Sequence, residues 1–346
     1  MRILITGTSG YIGGMLVDRF SEDPKVSRIF AIDMTDPLPD ALRENAKTSF
    51  LKYNLGDTGW EEKVLAHGVP DVAIHCAYVI REGYGKKREW QIKSNITAAE
   101  RVFNFVFKNK IPKLIHFSTV ASYGACHANS TGYQFKETDP FREENYLYGV
   151  DKKIIEEKLK NLYEKIKPDT QVLIARPCAI TGPRGQFTFK RFGLLRVVKF
   201  GLPMVPVTGP DSARQFIHED DAWEAVKLMV SSPRFAGEAG GGYEVFNLAP
   251  VDFLLLKDMA REIGKIYVRV PMWLGRLTFG AIWHLSRGRI PTVPAGINSY
   301  TYPIIADGSK LTRFGFQYKY SAKEALKADR GHYALDKNNR GAKMTL

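Results

Sequence analysis

The chain has 346 residues, 44% of them hydrophobic, with 30 Gly and 18 Pro, which suits one large α/β domain and a smaller lobe. No apolar run reaches the ~18 residues of a membrane span, and Cys76, Cys126 and Cys178 are too few and too scattered for a disulfide framework or a zinc site. The formal charge of +13 lies mostly on surfaces interleaved with Glu and accompanies no nucleic-acid module, so no nucleic-acid partner is expected.

Sparse cysteine use points to a reducing, cytoplasmic setting. The seven histidines show no metal-ligand spacing, and no metal is expected. Residues 2–6 form a short β-type run that leads into Gly7-Thr8-Ser9-Gly10-Tyr11-Ile12-Gly13, a first buried strand rather than an exported leader. Met15, Leu16, Val17 and Phe20 then recur at helical spacing. Strand, glycine turn and helix in succession place backbone N–H groups and a helix N-terminus where a pyrophosphate can bind. A second strand over 28–32 ends at Asp33, about 20 residues past Gly13, where a carboxylate can accept the adenosine ribose hydroxyls. It would repel a 2′-phosphate, so NAD is expected over NADP.

Further short apolar runs at 50–53, 71–75, 114–117 and 172–176 are each bounded by turn or helical stretches, the pattern of a parallel sheet. A helix is expected over roughly 88–109, carrying Asn95. The 114–117 strand delivers Ser118-Thr119 at its carboxyl end, the edge where open α/β sheets bind ligands. Tyr148 and Lys152 lie one turn apart on one helix face. A free phenol has a pKa of ~10, and bringing it to neutrality takes roughly 4 kcal/mol, within reach of nearby positive charge in a partly dry site. Charge runs such as 152–167 read as solvated surface. The exception is 183–201, where Arg184, Lys190, Arg191, Arg196 and Lys199 stand without an acid. That stretch suits a soluble helix face, a diphosphate-bearing substrate or an anionic membrane surface.

In order along the chain, these segments resemble the extended short-chain dehydrogenase/reductase superfamily, the NAD-dependent epimerase/dehydratase group. The resemblance covers roughly residues 2–250 and weakens toward 328. Gly7, Gly10 and Gly13 match its T-G-x-x-G-x-x-G loop, which with Ser9, Tyr11 and Ile12 would hold NAD. Asp33 matches its ribose-binding acid, and Asn54 and Asp57 fall where relatives meet the adenine side. His75-Cys76-Ala77-Tyr78 is similar to H-x-A-[AG], the loop beneath the cofactor. Ser118-Thr119 with Tyr123-Gly124 is similar to S-S-x-x-V-Y-G, and Tyr148 with Lys152 to Y-x-x-x-K. Arg176-Pro177 with Gly182-Pro183 matches R-P-x-x-x-Y-G-P, and Arg214 with Phe216-Ile217-His218 and Asp221 resembles R-x-F-I-H-V-x-D.

The resemblance implies a Rossmann-type doubly wound parallel sheet with a smaller, discontinuous substrate lobe. NAD-binding residues would occupy 1–182 and 214–249, the lobe 183–213 and 250–330, and a flexible tail 331–346. Thr119, Tyr148 and Lys152 would be catalytic, with Asn95 and Pro177 completing the cofactor set. Lys152 would lower the Tyr148 pKa and bind the nicotinamide ribose. Thr119, Ala179 and Arg214 would meet the substrate. A homodimer built on the Tyr148 helix is implied as well.

The substrate evidence is divided. Nucleotide-sugar members commonly carry Asn at the fourth position of R-P-x-N, and this chain has Ala179, closer to 3β-hydroxysteroid-dehydrogenase-like enzymes of hydrophobic alcohols. Arg214 fits the arginine that sugar enzymes aim at a diphosphate. A non-catalytic NAD-sensing protein on the same fold is the third reading, weighed against by the intact Tyr148–Lys152 pair. The apolar stretch 272–287, with Trp273 and Trp283, suits a core or lid helix, an apolar substrate channel, or a peripheral membrane contact.

Overall fold

The computed structural model describes residues 1–36, 38–80, 82–188, 203–209, 212–235, 242–290 and 292–334. Of the acid-free stretch 183–201, Lys190, Arg191, Arg196 and Lys199 lie outside the described residues, as does the expected tail from 335 onward.

The amino-terminal half alternates strands and helices. β1 (Arg2–Thr6) is followed by α1 (Tyr11–Glu22), β2 (Arg28–Asp33), α2 (Asp40–Arg43), β3 (Thr48–Lys52), α3 (Trp60–Leu65) and β4 (Val72–His75). Then come α4 (Lys86–Lys108), β5 (Lys113–Phe117), α5 (Leu147–Ile166) and β6 (Gln171–Pro177). Short strands β7 (Ala179–Thr181), β8 (Met204–Val207), β9 (Ala213–Arg214) and β10 (Phe216–His218) precede β11 (Gly242–Leu248), with α6 (Pro183–Thr188) after β7. Seven strands make one parallel sheet in the order β11-β6-β5-β4-β1-β2-β3.

Alternation along each strand explains why the sheet is covered on both faces. Ile3, Ile5, Ile29 and Ala31 face α1 and the helix Glu219–Ser231, packing with Met15, Leu16, Phe20 and Val226. Leu4, Phe30, Ile32 and Ala73 point the other way, against Val102, Phe103 and Val106 of α4 and Ile155 and Leu159 of α5. A strand buried on both sides must be apolar throughout, which is why these runs read so plainly from sequence. The order of successive strands switches from one side of β1 to the other between β3 and β4, so a crevice opens at the carboxyl ends of β1 and β4. The strand 172–176 was expected to stop before Pro177, but β6 runs through it, with Pro177 opposite Leu248 of β11. β11 itself was not anticipated as a strand; it sits at the sheet edge, where its alternation is weaker.

Beyond the sheet, β8 pairs with Ile266–Arg269 and β9 with Leu254–Leu255. Val205, Val207, Leu256, Met259, Ala325 and Leu326 form their own apolar cluster. Residues 331–334 fold back on the sheet domain: the His332 N–H donates to Asp220 at 2.8 Å and the Tyr333 hydroxyl to Asp18 at 2.7 Å.

Candidate active site

β1 ends at Thr6 and α1 begins at Tyr11, so the glycine turn occupies the mouth of the crevice. Gly7 has φ +75, and a Cβ there would lie 2.6 Å from the Ala77 backbone. A Cβ on Gly13 would strike the carbonyl of Gly7. The turn is therefore packed to backbone contact on both sides. Gly10 caps α1 with no side-chain hydrogen bond, and the first turn of α1 holds no acid. Its first N–H groups and its dipole are thus left to an anion, the fit a dinucleotide pyrophosphate requires. The Ser9 N–H donates to Asp33 at 2.9 Å, and Asp33 also accepts from the Thr35 N–H at 2.9 Å. Asp33 thus closes the turn at the end of β2. Tyr11 is committed elsewhere: its phenol donates to Glu219, which also accepts the Arg184 and Gly185 N–H groups. Ile12 packs half-buried on the core.

An acid at the end of β2 makes a measurable demand. Asp33→Ala should weaken NAD binding about 10–100-fold, the worth of hydrogen bonds to a charged acceptor. NADP should be affected less, because the same change removes a repelling charge. Parallel fluorescence titrations with the two dinucleotides read both numbers, and an unchanged NAD affinity would remove Asp33 from the site.

Along the carboxyl edge, Asn54 and Asp57 follow β3; the Asn54 carboxamide oxygen accepts the Gly56 N–H at 3.1 Å and Asp57 is exposed. After β4, the Thr6 hydroxyl meets His75 Nδ1 at 2.7 Å. Burial, with Lys152 nearby, pushes His75 down to about 3, so it is neutral. Burial pushes the Cys76 thiol up to about 12, which leaves it unreactive at neutral pH. Asn95 of α4 clamps the segment that follows, its Oδ1 accepting the Val79 N–H at 2.8 Å. Asn95 therefore supports the Cys76–Tyr78 floor from behind.

The catalytic candidates come together at the start of α5. Tyr148, Lys152 and Glu156 follow at one-turn spacing and lie on the sheet side of the helix. Gly149 allows the helix to seat there, since a Cβ would lie 2.9 Å from the Ala121 carbonyl oxygen and 2.7 Å from Glu143 Cγ. The Ser122 hydroxyl donates to the Gly149 carbonyl at 2.9 Å. This docks the 120–123 turn, and Thr119 with it, against Tyr148. The Thr119 hydroxyl accepts the Ala121 N–H at 3.2 Å and stands near enough to the Tyr148 phenol to oppose the rise in its pKa. Lys152 donates to the Phe117 carbonyl at 2.6 Å and lies 4.7 Å over the Tyr78 ring.

Electrostatics differ from the expectation at one point. Burial raises Tyr148 above its ordinary value, with Thr119 opposing. Burial also pushes Lys152 down to about 8. The ammonium is spent on the Phe117 carbonyl and the Tyr78 face, so the chain's own groups leave the phenol protonated. Lys152 and Glu156 also correct the reading of 152–167 as solvated surface: both are buried.

Sequence reasoning missed the aromatic wall around the phenol. Tyr78 stands where the motif has Ala or Gly; its ring meets Tyr148 edge-on at 5.3 Å and its hydroxyl donates to Asp151 at 3.0 Å. Tyr146 packs at 6.1 Å from Tyr148. The Arg214 guanidinium lies 4.8 Å over the Tyr300 ring. Burial lowers the Arg214 pKa. It donates to the Ala213 carbonyl at 3.5 Å, and among the described residues no carboxylate pairs with it. Ala179 is exposed on β7, and Pro177 closes β6 beside it. No periodicity marks Tyr300; only the fold brings it over Arg214.

Comparison with known proteins agrees with this geometry. An uncharacterized protein of Mycobacterium tuberculosis is 25% identical over 94% of this chain and 82% of its own length. The fold is shared with the UDP-glucose 4-epimerase of Thermotoga maritima solved with UDP-glucose, at TM-score 0.69 and 19% identity over 95% of this chain and 97% of that one. It is shared too with the UDP-glucuronic acid 4-epimerase of Bacillus cereus solved with UDP-glucuronic acid and NAD, at TM-score 0.68 and 20% identity over 95% and 97%. The family model for the NAD dependent epimerase/dehydratase family matches residues 3–249, and with the glycine turn, strand-end hydroxyl and Tyr–Lys helix in place, the chain belongs to that family.

Proposed function

We propose that the chain is an NAD-dependent oxidoreductase of a nucleotide-sugar, interconverting a secondary alcohol and ketone at one sugar carbon. The observation that carries this reading is Arg214, a half-buried cation with no carboxylate partner among the described residues, on the same aromatic wall as Tyr148. A cation partly withdrawn from water is favoured by an anion, and a diphosphate supplies one. Nucleotide-sugar ligands in the Thermotoga and Bacillus structures support the same class.

NAD, when bound, supplies the hydride acceptor at its nicotinamide ring. Tyr148 takes the proton from the substrate hydroxyl as the carbon–hydrogen bond is lost, and returns it in the reverse step. Thr119 holds the substrate oxygen against the phenol. Lys152 would hold the nicotinamide ribose from its place at the Phe117 carbonyl, one helical turn from Tyr148. Arg214 holds the diphosphate end, and Ala179 leaves room where an Asn side chain would have stood. Asn54, Asp57, Asn95 and Pro177 complete the cofactor wall in this proposal, and a homodimer through α5 is part of it.

Purified protein should release NAD on denaturation, and it should interconvert a member of a UDP-sugar panel without net NADH. Arg214→Ala should raise KM for that sugar about 10–100-fold, as loss of a charged contact does. NADH accumulating on a hydroxysteroid panel, with no turnover of UDP-sugars, would overturn this reading in favour of a hydrophobic alcohol.

A further inference from the structure

We propose that the helix Met272–Leu285 is a docking face for an anionic lipid bilayer. This rests on the surface itself and stands independently of the sugar reading. Trp273, Leu277 and Leu285 are 67%, 63% and 86% exposed, and Leu274 and Ile290 are exposed beside them. Trp273, Leu277, Ala281 and Leu285 recur at four-residue spacing, so they form a single stripe. An added Cβ at Gly280 would meet nothing within 4 Å, which leaves the neighbouring surface open.

The opposite face is fixed to the protein. Gly275 is buried, and a Cβ there would lie 2.9 Å from Thr208. Trp283 is buried with its ring 5.9 Å from that of Tyr84, and the Tyr84 hydroxyl meets His284 Nδ1 at 3.1 Å. The helix is thus held rigidly with its apolar stripe outward, at an entropic cost already met on folding.

Charge selects the occupant. From Ile263 to Ala306 there is no Asp or Glu, while Lys265, Arg269, Arg276, Arg287 and Arg289 fall within it. Arg276, Arg287 and Arg289 are exposed around the stripe. A second copy meeting this face across a two-fold axis would bring those arginines against their own counterparts. An anionic bilayer instead takes the indole and leucines into the headgroup boundary and pairs the arginines with lipid phosphates. At 14 residues the helix is about 21 Å long, too short to span a bilayer, and it would lie in the interface plane.

The test is flotation of the full chain with sealed vesicles at low salt. The protein should rise with phosphatidylcholine vesicles carrying roughly a third phosphatidylglycerol, and stay down with phosphatidylcholine alone. Leu277→Asp, and separately Arg276→Glu with Arg287→Glu, should each lower the bound fraction about tenfold, with unchanged far-ultraviolet circular dichroism and NAD binding. Failure of the wild type to float, or equal flotation of Leu277→Asp, would overturn the proposal. So would loss of solution mass in Leu277→Asp, which would give the face to a second copy.

Discussion

Tyr148→Phe is expected to lower turnover about 10²–10⁴-fold, the worth of a positioned general base, while NAD affinity stays within about threefold. Phenylalanine retains the ring that meets Tyr78 at 5.3 Å and Tyr146 at 6.1 Å, so the wall is undisturbed and only the proton carrier is lost. Initial rates on the identified substrate, with a dinucleotide titration alongside, separate the two effects. Undiminished turnover would remove Tyr148 from the mechanism. The pH profile carries a second expectation. Oxidation of the substrate needs a deprotonated phenol, so kcat/KM should rise with pH through the phenol's pKa. Lys152, pushed down to about 8 by burial, is fully charged only below that pH. Its positive charge beside the site is therefore lost as pH climbs past 8. Lys152→Arg, which keeps its charge, should extend the active range upward.

How far the sequence spoke depended on how local each signal was. The glycine turn, the apolar runs of the sheet and the Tyr148–Lys152 spacing are short-range patterns, and each folds where its residues require. The central strands were legible because both their faces are buried, so apolar residues dominate them, with His75 and His116 the buried exceptions in β4 and β5. β11 was not, because an edge strand has fewer neighbours to demand apolar side chains. Glu156 was harder still. In the run Glu156-Glu157-Lys158 it reads as solvated surface, yet it lies two turns past Tyr148 on the same face and is buried. Helical phase alone would have flagged it. Tyr300 meets Arg214 only through long-range packing, which one sequence does not display. Nor could it show that Lys152 gives its ammonium to the Phe117 carbonyl, or that burial holds the phenol above its ordinary pKa.

Arg176→Met should destabilise the protein by about 3–5 kcal/mol, the cost of stranding one member of a buried ion pair. Arg176 was legible as part of R-P, but its partner was not. The two side chains are 7% and 6% exposed, with the Arg176 Nε 3.2 Å from both oxygens of Glu156 and a terminal nitrogen bonded to one of them. Its other terminal nitrogen donates to the Tyr123 hydroxyl at 2.8 Å and to the Glu137 carbonyl at 3.1 Å. The guanidinium also lies 4.2 Å over Phe141, so methionine keeps some packing but leaves the Glu156 carboxylate dry and unpaired. Urea denaturation of Arg176→Met, Glu156→Leu and the double variant separates the pair from its surroundings. The double variant should be more stable than Arg176→Met, because both charges leave together. A loss under about 1 kcal/mol in Arg176→Met would mean that Glu156 reaches water or takes up a proton without penalty. Because Glu156 sits one turn beyond Lys152, any rotation of α5 that relieves it also turns Lys152 from the Phe117 carbonyl. Residual folded Arg176→Met should therefore lose kcat more than it gains in KM.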